Sequence, residues 1–397
     1  LVNRGQCMWY FRSPEIVFGQ DALDHLRHLS GEKAFIVTDP TLIKLGVANK
    51  VQEKLKLAGI ASEIFGDTEA EPSLTTIKRG AAAMTDYQPD WVIGLGGGSP
   101  MDASKAMWIL YENPDIDLMA VNPFEPLLLR RKAKMIAIST TSGTGAEVTW
   151  GIVLTDPVDQ RKVAVGSPVN LPDIAIVDPT LAMTMPTQLT ADTGMDALTH
   201  AIEGYTSTWH NDFSDGLCLK AIRLILDNLP RAVADGEDEE AREKMHLAAT
   251  LAGLGFINSM CSLAHAFGHS LGAVHKIPHG RSVGLFLPYT IQYNASDGRA
   301  QTRYQEIAKF LNFPATTPDQ GTASLIDVIR QLAGEIDQPR TIQQALHLSL
   351  AELEDNLDQL ADYAESDTQI ITASRIPSSA DIRKLFLYAY LGQDIDW

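Results

Sequence analysis

Short apolar runs alternate with helically spaced apolar positions through the first half of the chain. Lys33-Ala-Phe-Ile-Val-Thr-Asp39 reads as a buried strand, and residues 61–65, 91–95 and 135–139 repeat that pattern. Between them, 41–58, 74–85 and 103–110 put apolar side chains at the three-to-four spacing of one helix face. Such alternation predicts a parallel sheet covered by helices. The stretch 151–177 differs: its runs 151–155, 162–165 and 174–177 are divided by Asp-Pro, Ser-Pro and Leu-Pro. It is expected to add extended strands that close the α/β part. After Pro186 the period becomes helical throughout, over 189–207, 214–229, 239–260, 261–275, 300–311, 324–333, 342–364 and 379–390. The expected fold is an N-terminal α/β domain with a parallel sheet (1–185) followed by an all-helical domain (186–397).

Composition narrows the function classes. With 45% hydrophobic and 21% charged residues, the 397-residue chain is neither disordered nor fibrous. A net charge of −18 repels nucleic acid and anionic lipid, so neither is an expected partner. Cys7, Cys218 and Cys261 have no CxxC spacing and suit a reducing compartment. No run approaches the ~18 apolar residues of a membrane span, and residues 1–19 lack the apolar core of a signal peptide. A cytoplasmic location is the expectation.

Two loops suggest a nucleotide. Gly94-Leu-Gly-Gly-Gly-Ser-Pro-Met-Asp102 follows a strand and precedes a helix. Glycines there let the backbone approach a phosphate, and the helix N-terminus supplies free N–H groups. It is neither a GxGxxG fingerprint nor a P-loop, and glycine turns without a ligand are common, but three glycines with Ser and Pro at a strand–helix junction favour a ligand. In Ile138-Ser-Thr-Thr-Ser-Gly-Thr-Gly-Ala-Glu-Val148, hydroxyls at a strand end could hold a phosphate or ribose, or merely cap a helix. Asp39, beyond the first strand, would accept from a ribose 2′-hydroxyl and repel a 2′-phosphate; a turn aspartate before Pro40 is the plainer alternative.

The helical half suggests a metal. Asp196 and His200 are four apart, as are His265 and His269, so each pair lies on one helix face; His279 follows in Ile-Pro-His-Gly. Burying such groups without a metal or partners is costly. One carboxylate with imidazoles and no thiolate suits Fe²⁺, Zn²⁺, Co²⁺ or Ni²⁺ rather than Ca²⁺ or Mg²⁺. Such an ion would polarise an alcohol or carbonyl oxygen. Met195, Phe267 and Trp150 are candidate pocket walls, and Cys261 a small buried side chain.

GGGSPMDASK (96–105), TTSGTGAEVT (140–149), DTGMDALTHAIEGY (192–205) and HAFGHSLGAVHKIPHG (265–280) resemble, in order, the signatures of the iron-containing (group III) alcohol dehydrogenases. The resemblance covers nearly the whole chain and weakens after about Asp297. It is similar both to the lactaldehyde reductases and to the alcohol dehydrogenase half of bifunctional aldehyde–alcohol dehydrogenases. The resemblance implies a Rossmann-like dinucleotide-binding domain, an all-helical domain and an active site between them, the architecture shared with dehydroquinate synthase. It implies Asp196, His200, His265 and His279 as ligands of Fe²⁺, with Zn²⁺ as the alternative. His269 would lie near the nicotinamide as a proton relay or a ligand-orienting group. Asp39, Gly97, Gly98, Ser99, Asp102, Thr140, Thr141, Thr144, Thr149 and Lys162 would bind NAD. The implied reaction interconverts a small primary alcohol and its aldehyde by hydride transfer, in a homodimer or higher homo-oligomer. The chain departs from many members at Glu71-Pro72, where Asn-Pro is usual, and at 373–378, where Asn-Pro-Arg is usual. Rival readings on this scaffold are a glycerol or hydroxyacid dehydrogenase, a dehydroquinate synthase-like cyclase, and a non-catalytic scaffold. The cyclase needs converging cations, and around 265–279 only Lys276 and Arg281 are present. The scaffold reading requires lost ligands.

Overall fold

The computed structural model describes residues 10–155 and 162–397, with the backbone alone at 155, 162 and 163. The strands are β1 (Glu15–Phe18), β2 (Lys33–Val37), β3 (Ala61–Phe65), β4 (Trp91–Gly96), β5 (Lys134–Ser139), β6 (Ile152–Thr155), β7 (Lys162–Val165) and β8 (Ile174–Val177). Six of them form one parallel sheet in the order β1-β8-β5-β4-β2-β3. β4 and β8 are buried along their whole length, which is why their runs are continuously apolar rather than alternating. β4 and β5 are in register up to Gly96 and Ser139, so the loops that follow them leave the sheet side by side.

The first helices are α1 (Pro40–Lys44), α2 (Val47–Leu57), α3 (Leu74–Tyr87) and α4 (Gly98–Glu112). The single helix expected over 41–58 is two, broken at Gly46, whose φ of +76° is outside the helical region. α4 starts at Gly98 rather than 103, because Pro100 falls in the first turn, where its missing N–H leaves nothing unpaired. β1 went unread: four residues with exposed ends on a sheet edge carry almost no pattern. The 151–177 expectation needs correction. β8 is an interior strand between β1 and β5, while β6 and β7 form a separate antiparallel pair.

The helical half comprises α5 (Thr187–Thr206), α6 (Asp212–Ala234), α7 (Glu239–Ile257), α8 (Leu263–His275), α9 (His279–Asn294), α10 (Gly298–Phe310), α11 (Pro318–Glu335), α12 (Ile342–Leu346), α13 (Leu350–Glu365) and α14 (Ser379–Leu391). The expected helix 342–364 is split at His347, whose φ is 55°. α9 was not anticipated, since Pro288 interrupts its pattern. α5 is buried nearly all round and forms the axis of this half, against α6, α7 and α9. Phe267 and Met195 are corrections: both are core. Phe267 packs at a tilt against Phe286 and Phe386 at centroid distances of 5.3 and 4.9 Å, and Met195 fills the space left by Gly284.

Candidate metal centre and cofactor cleft

Three helices bring four side chains together. Asp196 and His200 come from one face of α5, His265 from the first turn of α8, and His279 is the first residue of α9. One potential ligand atom from each lies within 4.8 Å of the others. Asp196 Oδ1 is 3.3 Å from His279 Nε2, 3.7 Å from His265 Nε2 and 3.8 Å from His200 Nε2. Asp196 Oδ1 and His265 Nε2 are fully buried and make no hydrogen bond within the described protein. Orphaned lone pairs converging on one point are what a divalent cation satisfies, so the residues present fit the metal. Burial pushes His200 down to about 3 and lowers His279 too. Burial alone would raise Asp196, but His200 and His279 beside it hold its carboxyl well below the usual range. His265 differs: burial opposes its charge, but Cys261, Asp196 and Glu203 beside it hold its imidazole well above the usual range, so a metal bound there displaces a proton.

Glu203, which the sequence reading left without a role, orients this cluster. Its carboxylate accepts from Ser262 N (2.9 Å) and Ala264 N (2.6 Å), capping α8, and binds His265 Nδ1 at 2.7 Å. That bond sets Nδ1 of His265 as the protonated nitrogen and leaves Nε2 facing the centre. The signal was available: Glu203 lies seven residues after Asp196 and three after His200, on the same helix face. His200 is held instead by stacking, 4.2 Å from Phe256 and 4.5 Å from His265 between ring centroids. His269 Nδ1 pairs with Asp367 Oδ2 at 2.7 Å, with the His269 ring 5.1 Å from that of His279. Asp367 is 98 residues away in sequence and had no signal to reveal it. Burial keeps the Cys261 thiol up at about 11, so it stays a neutral neighbour.

The second group of expected residues gathers at the carboxyl ends of β2, β4 and β5. Gly97 caps α4 without a side chain, leaving the N–H groups of Gly98 and Ser99 with no intrahelical acceptor. The hydroxyl loop packs directly on this turn. A methyl on Gly97 would stand 3.0 Å from Thr141, and one on Gly98 3.1 Å from Thr144 Cγ2. Thr140 and Thr141 keep hydroxyls without a hydrogen bond among the described residues, whereas Thr144 Oγ1 accepts from Ala146 N. Ser99 Oγ donates to the Ala70 carbonyl. Asp39 caps α1 through Oδ1 (2.8 Å from Thr41 N) and keeps Oδ2 uncommitted. Asp102 accepts from Val153 N at 3.0 Å, tying α4 to β6. Lys105, also passed over, is buried and donates to the Ala146 carbonyl (2.8 Å), the Gly151 carbonyl (3.2 Å) and Thr149 Oγ1 (3.4 Å). Lys162 begins β7; its side chain lies outside the described residues.

The two groups meet at α5. Gly143, in the hydroxyl loop, lies so close to Thr193 that any side chain would collide with it, and Thr193 is three residues before Asp196. Ser142 bonds His246 of α7 at 3.1 Å, and Glu147 accepts from Thr250 at 2.7 Å. The nucleotide-type loop is therefore seated on the helix that carries two of the metal-type residues.

Residues 13–179 match the iron-containing alcohol dehydrogenase model, and 190–390 its Fe-containing alcohol dehydrogenase C-terminal partner. The chain belongs to the iron-containing alcohol dehydrogenase family. It is accordingly a metal- and nicotinamide-dependent oxidoreductase that interconverts alcohols and aldehydes. An NADPH-dependent butanol dehydrogenase of Clostridium saccharobutylicum is 38% identical over 96% of this chain and 98% of its own. The bifunctional aldehyde-alcohol dehydrogenase AdhE of Escherichia coli (strain K12) is 37% identical over 99% of this chain, which spans 48% of that relative's length. Among solved structures, a sulfoacetaldehyde reductase from Bifidobacterium kashiwanohense in complex with NAD⁺ superimposes with a TM-score of 0.85 at 28% identity, covering 96% of this chain and 99% of that one. Among the described residues of this family member, no helix is long and apolar enough to cross a membrane.

Proposed function

We propose that this iron-containing alcohol dehydrogenase uses NAD(H) and Fe²⁺, with Zn²⁺ as the alternative ion, on a small primary alcohol and its aldehyde in the cytoplasm, as a homodimer or higher homo-oligomer. The observation that carries this reading is the seating of the hydroxyl loop on α5 through Gly143 and Thr193, because it brings a nucleotide cradle next to a metal-type tetrad. In this reading residues 1–185 form the dinucleotide-binding domain and 186–397 the metal- and substrate-binding domain. Asp196, His200, His265 and His279 hold the ion.

When bound, the ion supplies Lewis acidity to the substrate oxygen, and the nicotinamide supplies or accepts the hydride. The chain supplies position. Gly97, Gly98 and Ser99 present N–H groups to the pyrophosphate. Thr140, Thr141, Thr144 and Thr149 line the hydroxyl-rich side, and Lys162 and Asp102 complete the cofactor set. Asp39 Oδ2 is the ribose acceptor, and its charge disfavours a 2′-phosphate. That favours NAD, even though the butanol dehydrogenase relative carries NADPH-dependent in its name. Asp367 binds His269 at Nδ1, leaving Nε2 to hold and pass the proton exchanged at the substrate oxygen.

The test is anaerobic NADH and NADPH oxidation by Fe²⁺-reconstituted protein over a panel of short aldehydes, with metal-stripped protein alongside. Metal-dependent turnover is expected, at least about tenfold more efficient with NADH, and Asp39→Gly is expected to erase most of that preference. Silence on every aldehyde with metal demonstrably bound would overturn the substrate class; an NADPH preference would overturn the cofactor choice.

A further inference from the structure

The four residues of the tetrad are not held equally. Asp196, His200 and His265 have side chains no more than 6% exposed, and His265 is further fixed by Glu203. His279 is 32% exposed and stands first in α9, where Pro278 offers no side-chain cap. Among the described residues, no hydrogen bond fixes its other ring nitrogen. A residue at a helix start is the kind that frays.

Two residues further on, Arg281 makes a two-pronged pair with Asp192, Nε to Oδ1 at 3.1 Å and Nη2 to Oδ2 at 3.2 Å. Asp192 lies one turn before Asp196 on α5, so the pair spans the same two helices as the Asp196–His279 contact. Gly280 lets them approach: a methyl there would collide with the Asp192 carbonyl and lie 3.1 Å from Asp196 Cβ. Gln188 and Gln338 also donate to Asp192 Oδ1, at 3.0 and 2.9 Å, so the carboxylate accepts four hydrogen bonds from three side chains. Stability gives little reason for this arrangement. Burying an ion pair is close to neutral, and an arginine in the first turn opposes the helix dipole.

Resting on the ligand assignment above, we propose that Arg281 and Asp192 are a positioning pair that sets His279 against Asp196 and so determines how tightly the ion is retained. Neither touches the reacting atoms.

The test is a Co²⁺ titration of metal-stripped protein followed by ligand-field absorption, with the melting temperature of the metal-free protein measured in parallel. Arg281→Met is expected to weaken Co²⁺ roughly ten- to a hundredfold and to alter the absorption envelope, while the metal-free melting temperature falls no further than in the ion-pair control Arg130→Met. Arg281→Lys, which keeps charge but loses the second prong, is expected to fall between the two. Arg130→Met removes the comparable Arg130–Asp173 pair (2.7 Å) in the sheet half and controls for general loss of an ion pair. Wild-type affinity and spectrum in Arg281→Met, or equal weakening in Arg130→Met, would overturn the proposal. If Arg281→Met does not fold, Asp192→Asn carries the same measurement. His279→Ala separates the two readings: wild-type affinity in that variant would sink the ligand assignment, and the positioning pair with it.

Discussion

The glycine turn and the metal-type tetrad lie on opposite sides of one seam and are built on opposite principles. The turn uses main chain: Gly97 and Gly98 contribute N–H groups, and their lack of side chains lets Thr141 and Thr144 close over them. Its parts are contiguous in sequence, and each needs only a small residue in the right conformation. The tetrad uses side chains alone, from three helices and from 196 to 279, and the supporting groups Glu203 and Phe256 each touch a different member. A main-chain cradle should degrade gradually under substitution. A side-chain tetrad should fail when one member is lost.

His200→Ala puts the greatest strain on that contrast. It is expected to remove most metal binding and to lower turnover by at least about a thousandfold, since several kcal/mol of charge stabilisation depend on the ion. NADH affinity, followed by its fluorescence, should stay within about twofold. An equal loss of NADH affinity would mean that the two regions are one cooperative unit.

Gly98→Ala tests the cradle with a smaller effect. The new methyl stands 3.1 Å from Thr144 Cγ2, a few tenths of an ångström too near. The KM for NADH is expected to rise about tenfold with metal content unchanged. Thr144→Ser removes the opposing methyl and keeps the hydroxyl, so the double variant should recover most of the loss. No recovery would show that the methyl obstructs the nucleotide rather than the loop.

The smallest effect belongs to the seam. His246, bonded to Ser142 and buried, is pushed down to about 4 from 6.5. Between those values the unfolded chain binds the proton and the folded one does not, so stability rises with pH through that window and is lost as pH falls from about 6.5 to 4. The gap corresponds to at most ~3 kcal/mol. Between pH 7 and pH 5, urea unfolding should lose about 2 kcal/mol of that increment in wild type and much less in His246→Gln. An unchanged pH dependence would place the acid sensitivity elsewhere.

The difference between the two regions also explains what could be read in advance. The glycine turn was visible as a motif because consecutive residues carry it. Asp196 with His200, and His265 with His269, were visible because four-residue spacing states a shared helix face. Glu203 shared that face and was passed over for want of a partner in sequence. Asp367 could not have been found, because only the docking of the 368–372 turn against α8 brings it to His269. β1 and α9 escaped for local reasons, an edge strand of four residues and a helix holding Pro288.

Local pattern by itself determined the alternation of strands and helices, the change to all-helical structure after 186, the two nucleotide-type loops and the helical faces bearing Asp and His. These depend on side-chain period and turn chemistry, which act over a few residues. Tertiary structure alone decided that β8 runs inside the sheet, that Met195 and Phe267 are core, that Lys105 and Glu203 brace the site, and that the hydroxyl loop rests on α5. Each of those depends on which distant surfaces come within van der Waals reach, and no short-range period encodes that.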